Sequence, residues 1–224
     1  METPENGGAV VRPGFLDLIY GVLFNPVPTF KKIKEGPPLC YAALLFFLLA
    51  VSNAIVSFSF FRSAIADFPD DADLASIGQV LSGLLPFIIF FALVFAGLRW
   101  FLYGAVLHLV AEIWGGKGSP RGTLTVYALA ALPGIFLIAV ELLLRLLRVP
   151  DIAAAALSGI IGLGVLVWGV VLLVLGLREV HGFSTGVAAL TVLTPVAALI
   201  VLGMVFVAAV IVLVGTLFPL LGVP

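Results

Sequence analysis

Five ionisable side chains fall within otherwise apolar runs: Arg99, His108, Glu112, Glu141 and Arg145. Their types and spacing define the chemistry open to the chain. His108 and Glu112 are four apart and share one helix face. An imidazole and a carboxylate so placed can pass a proton or hold an ion between them. Glu141 and Arg145 repeat the spacing with a carboxylate and a guanidinium. Arg99 precedes His108 by nine residues, about 900° of helical rotation, and so points to roughly the opposite side. Inside a bilayer such groups mark a polar pathway or pair with one another. As a pathway, Glu112 or Glu141 would carry a proton or meet a substrate cation. As structure, His108–Glu112 would tie helices together and Glu141–Arg145 would neutralise itself near an interface, while Arg148 and Arg178 snorkel to headgroups. The structural reading is favoured, except at Arg99. A mid-span arginine needs a partner, and Glu141 is the nearest acid by expected depth.

Catalysis finds little support. A metal centre takes about three protein ligands; His108 and Glu112 supply two, and His181 is expected in a loop. Ser184, near His181, lacks an orienting acid in any nucleophile elbow. Gly116-Lys117-Gly118-Ser119 lacks the spacing of a phosphate-binding loop. The acidic stretch Asp67 to Asp73 lacks the closing glutamate of a calcium loop. The expectation is a protein without enzymatic activity, metal or cofactor.

The elements that must position these residues follow from composition. Of 224 residues, 62% are hydrophobic and 10% charged, against about 25% charged in soluble chains. That is too little charge to cover a water-soluble globule, and a net charge of −1 gives no footprint for nucleic acid. The single cysteine, Cys40, cannot form an internal disulfide. Five segments have the roughly 20 apolar residues a span needs: Leu39–Phe61, one within Ile77–Trp114, Leu124–Leu147, Ile152–Leu177 and Val187–Phe218. They do not alternate at period two, so they read as helices and not barrel strands. The second is too long for one crossing. A short outer helix over Ala72–Leu85 with a span from Pro86 to Trp114 is preferred to a span over Ile77–Gly97. In the fourth, Ala155, Gly159, Gly162, Gly164 and Gly169 allow close helix approach, within the chain or across a homodimer.

Arg12, Lys31, Lys32, Lys34, Lys117, Arg121 and Arg178 fall on one side of these spans, and Arg62, Arg145 and Arg148 on the other. The positive-inside rule then puts the N-terminus in the cytoplasm and the C-terminus outside, in a cell or inner membrane. The chain divides into a cytoplasmic segment 1–38, a span region 39–218 and a short exterior tail 219–224. Within the first, Asn25 can cap a helix with Pro26 at its first position. Val27, Phe30 and Ile33 share one face of it, beside Lys31, Lys32 and Lys34. That reads as a basic amphipathic helix on an anionic membrane surface. The two later cytoplasmic loops resemble each other: Glu112 precedes Gly118-Ser119-Pro120-Arg121-Gly122, and Glu179 precedes Gly182-Phe183-Ser184-Thr185-Gly186. A span containing a proline follows each.

Three stretches resemble the Yip family of multi-pass membrane proteins, in its short bacterial form. They are Asn25 through Ile33; Leu107 through Ser119, continuing through Thr123, Tyr127 and Pro133; and Leu175 through Ser184. The resemblance implies five spans, a cytoplasmic N-terminus and an exposed C-terminus. The long N-terminal region and the Asp-Leu-Tyr-Gly-Pro stretch of eukaryotic members are missing, so Rab binding does not carry over. The architecture expected is an all-α five-span bundle with an N-terminal interfacial segment. The function expected is organisation of the membrane or of partner proteins, with the bilayer, anionic lipids, a homo-oligomer or another membrane protein as partners. The alternative is a small transporter or channel using the intramembrane charges.

Overall fold

A computed structural model describes residues 14–66, 80 and 83–220. These residues are helical, with no strand among them. The helices are α1 (Phe15–Phe24), α2 (Pro26–Glu35), α3 (Leu39–Ala66), α4 (Leu85–Ile113), α5 (Pro120–Leu129), α6 (Gly134–Leu146), α7 (Asp151–His181) and α8 (Thr185–Leu220). Five stretches are long and apolar enough to cross a membrane: Leu39–Phe58, Leu85–Ile113, Pro120–Leu146, Asp151–His181 and Thr185–Thr216. The second span starts at Leu85, next to the preferred Pro86. The outer helix expected over Ala72–Leu85 and the acidic loop lie almost wholly outside the described residues, as do the first thirteen and last four positions.

The third span is not one helix. Pro133 has no N–H, and its ring clashes with the preceding turn. Leu132 therefore donates to the Leu129 carbonyl at 3.1 Å, and Gly134 to Ala131 at 3.0 Å, in tightened three-residue turns. Gly169 on α7 faces this break: a Cβ there would lie 3.0 Å from the Ala130 carbonyl oxygen. Pro195 in α8 leaves its helix continuous.

The core gathers at the end that carries the 115–119 and 182–184 loops. On α7 the buried residues run from Leu172 to His181, and on α4 from Ala96 to Ala111. Beyond Pro195, α8 is exposed along its described length to Thr216, as befits a helix clothed in lipid. Close approach at the packed end depends on missing side chains. A Cβ on Gly104 would strike Leu124, and one on Gly176 would strike Val126. In the small-residue run of α7, by contrast, Gly159 and Gly164 have nothing within 4 Å of that position. Aromatic rings fill the α3–α4–α5 junction, where Trp100 Nε1 donates to the Leu124 carbonyl at 3.1 Å.

Helices α1 and α2 belong to the same core. Leu18, Val22, Phe30 and Ile33 are buried with span residues. Residues on both sides of position 38 thus share one core. α2 starts at Pro26 as expected, although the Asn25 side chain makes no capping hydrogen bond, and the face expected to rest on lipid is covered by α7. Phe30 reaches the flat patch at Gly176.

Candidate functional site

The polar side chains that meet do so at the loop end of the bundle. α4 stops with Gly115 in the left-handed conformation at φ +83. Gly116 N–H donates to the Ala111 carbonyl at 2.8 Å, and Gly115 N–H to Glu112 at 2.9 Å. This is a Schellman closure, and it turns the chain back across the bundle. Ser119 then caps α5, its hydroxyl accepting from Gly122 N–H at 3.1 Å. α7 runs to His181 and ends at Gly182, φ +75. His181 was expected in a loop. It is instead the last residue of α7 and only 3% exposed, because the left-handed glycine comes after it.

Three side chains converge there. Gly118 N–H donates to His181 Nδ1 at 3.2 Å, which leaves the proton of a neutral ring on Nε2. Nε2 then donates to Thr123 Oγ1 at 2.9 Å. Thr123 Oγ1 lies 3.2 Å from His108 Nδ1 and 3.3 Å from the Ser119 carbonyl. His108 Nε2 lies 3.4 Å from Glu112 Oε1. With His108 neutral, the Thr123 proton can point to its Nδ1. With His108 charged, Nδ1–H donates instead, and the Thr123 proton turns to Ser119. The hydroxyl serves both states without leaving a buried group unmatched. The arrangement ties α4, α5 and α7 to one point.

Glycines make room for it. A Cβ on Gly116 would come within 2.5 Å of His181 Nδ1 and 2.9 Å of the Ala111 carbonyl oxygen. One on Gly118 would lie 2.9 Å from the same ring. Phe183 stacks on the ring at 5.3 Å, with 11° between planes.

Of the residues singled out in sequence, the structure brings together His108 and Glu112. Thr123 and His181 complete the group; neither was chosen for chemistry, although both stand in the stretches that carry the resemblance. The glycine spacing around Lys117 was the available signal. Arg99 is exposed, in a shallow groove of about 360 Å³ with Phe95, Leu98, Leu102, Tyr103 and Val106. Glu141 and Arg145 sit half-buried on α6. Thr123 lies eighteen residues before Glu141, about 27 Å along the span, so that pair stands apart from the histidines. Ion pairs among the described residues join His108 to Glu112 and Arg178 to Glu179, the latter at 2.6 Å. Lys31, Lys32 and Lys34 are exposed on α2. No group of three or more metal-ligating side chains occurs among the described residues.

The family model of the Yip1 domain matches residues 20–207, which take in both glycine loops and both histidines. The chain belongs to the Yip1 domain family. Comparison with curated proteins and with solved structures gave no match. Within this Yip1 domain, the three resembling stretches are the parts that touch. α2 leans on α7, and the 115–119 loop wraps the His181 ring.

Proposed function

We propose that this Yip1-domain protein is a non-enzymatic integral membrane protein. It organises the bilayer or partner proteins from its lysine-bearing face, and that face is cytoplasmic. One observation carries the reading. Lys31, Lys32 and Lys34 stand exposed on a helix whose other face, Phe30 and Ile33, is locked into the core. The cations are therefore carried on a helix fixed to the bundle. Near an anionic surface each basic residue contributes about 1 kcal/mol, so three give about 3 kcal/mol of attraction to anionic headgroups. The Thr123 cluster supports the same reading, since it stiffens the loops beside that helix.

The test extracts the protein with its surrounding lipid in polymer nanodiscs and measures the anionic fraction against the bulk membrane. Enrichment that falls on replacing the three lysines with glutamine supports the proposal. Equal composition before and after removes its lipid part. Ion or proton flux through the purified protein, lost in Arg99→Gln or Glu141→Gln, would favour transport instead.

A further inference from the structure

The path of α1 and α2 relative to α7 has a consequence for the bilayer. α1 begins beside the head of α3, where the Phe15 and Tyr41 rings are 6.0 Å apart. It ends with Phe24, which lines a lateral groove of about 600 Å³ with Phe136, Val165 and Trp168. Trp168 precedes His181 by thirteen residues, about 20 Å along α7. α2 then returns: Phe30 packs at Gly176, and Lys34 Nζ lies 3.9 Å from the Cβ position of Gly182. The pair descends from the lysine-bearing end and climbs back beside α7. The legs cross where Gly21 meets Thr29, a Cβ on Gly21 falling 2.5 Å from Thr29 Oγ1.

The backbone of the turn between them suits hydrocarbon. A helix start normally leaves several N–H groups unpaired. Here Pro26 and Pro28 have none to leave. Asn25 N–H donates to the Gly21 carbonyl at 2.8 Å, and Thr29 N–H to Asn25 at 3.4 Å. The Thr29 hydroxyl adds a bond to the same Asn25 carbonyl at 2.9 Å. Of the positions from Asn25 to Thr29, Val27 alone brings an N–H without such a bond. Beyond its first turn, where Asp17 is exposed and accepts from Gly14 N–H, the outward face of α1 is apolar too. Leu16, Tyr20 and Phe24, spaced by four, are 75%, 66% and 66% exposed, while Leu18 and Val22 are fully buried.

We propose that α1–α2 is a re-entrant hairpin, entering and leaving the leaflet on the lysine side, and that it acts as a one-leaflet wedge. Two helix sections, each about 10 Å across, add roughly 150 Å² to that leaflet. The protein then favours membrane bent with the lysine face convex. This deepens the organising role proposed above, but the hairpin's depth is measured independently of that role and of headgroup preference.

The experiment uses the full chain with Cys40→Ser, carrying Leu16→Cys, Tyr20→Cys or Phe24→Cys in turn, labelled with NBD and reconstituted. Quenching is compared for lipids bearing a doxyl group near the headgroup and near the chain end. Deep quenching that rises from position 16 to 20 to 24 is expected. Equal shallow quenching at all three means that α1 lies flat, and overturns the proposal. The wedge is read on tubes pulled from giant vesicles in which trypsin has confirmed an outward lysine face. Enrichment of the protein in the tubes over the parent membrane is expected. Even distribution, with the depth order intact, overturns the wedge.

Discussion

Thr123→Val isolates the hydroxyl on which the histidine cluster depends. Valine keeps the branched shape, so the fully buried site gains no void. What it loses is the acceptor at 2.9 Å from His181 Nε2 and the partner at 3.2 Å from His108 Nδ1. His181 is 3% exposed and His108 9%, so little water can replace it. A buried polar group left unpaired costs about 1–3 kcal/mol. Two such groups would give about 2–6 kcal/mol. The unfolded state in a membrane also finds partners, and interhelical hydrogen bonds there average about 0.6 kcal/mol. Two at that value set a floor of about 1 kcal/mol, and we expect about 2 kcal/mol. Thr123→Ser is the control. It keeps the oxygen and deletes a methyl group, costing about 1 kcal/mol. The serine variant should therefore be more stable than the valine variant, although valine conserves volume better. Unfolding by SDS titration in mixed micelles, followed by tryptophan fluorescence, ranks the three proteins. Valine equal to or better than serine would mean that shape and not hydrogen bonding holds the site, and the cluster argument would fail.

Gly116→Ala should destabilise by about 1–3 kcal/mol in the same titration, because the backbone oxygen of Ala111 cannot yield as a side chain would. A change below about 0.5 kcal/mol would mean that the loop is free of His181. Phe30→Ala empties a fully buried position between α2 and α7, and should cost about 3–5 kcal/mol. It should also speed trypsin cleavage at Lys31 and Lys32, and an unchanged cleavage rate would contradict the docking of α2. Arg99→Leu removes a cation from an exposed mid-span position, which carries an insertion cost of about 2.5–3.5 kcal/mol at a helix centre. Glycosylation mapping of α4 should show equal or better insertion; poorer insertion would mean that Arg99 has a stabilising partner.

Hydrophobic run length was enough to read the five spans and the second span's start, because the bilayer imposes one length on every crossing. The break at Pro133 was less legible, since Pro195 carries the same signal and its helix continues. The difference lies in packing, where Gly169 lets α7 approach the opened turn. Half of the site was visible as the i,i+4 pair His108–Glu112. Thr123 and His181 were not, because they join it from 15 and 73 residues away in sequence, and no local period encodes such a meeting. The α2 helix was legible in its proline start and its apolar face. What that face touches was not, since Phe30 and Ile33 satisfy a lipid surface and a protein groove equally well.

The burial pattern and the Thr123 cluster together give the bundle a stiff end and a loose one. Hydrogen bonds and glycine contacts fasten α4, α5 and α7 where the loops turn. In the other half, α7 has no buried residue before Leu172, and α8 has none between Val196 and Thr216. Inside a membrane, apolar exposure does not drive such helices together, because lipid tails solvate them as well as leucine does. Relative motion of the spans is then expected to pivot about the fastened end. That end also carries the exposed lysines and the α1–α2 pair. Thr123→Val should then loosen this pivot as well as lower stability. Spin-label distances between the far ends of α4 and α7 would report it as a broader distribution. An unchanged width in the valine variant would mean that the cluster holds the loops without governing the helices.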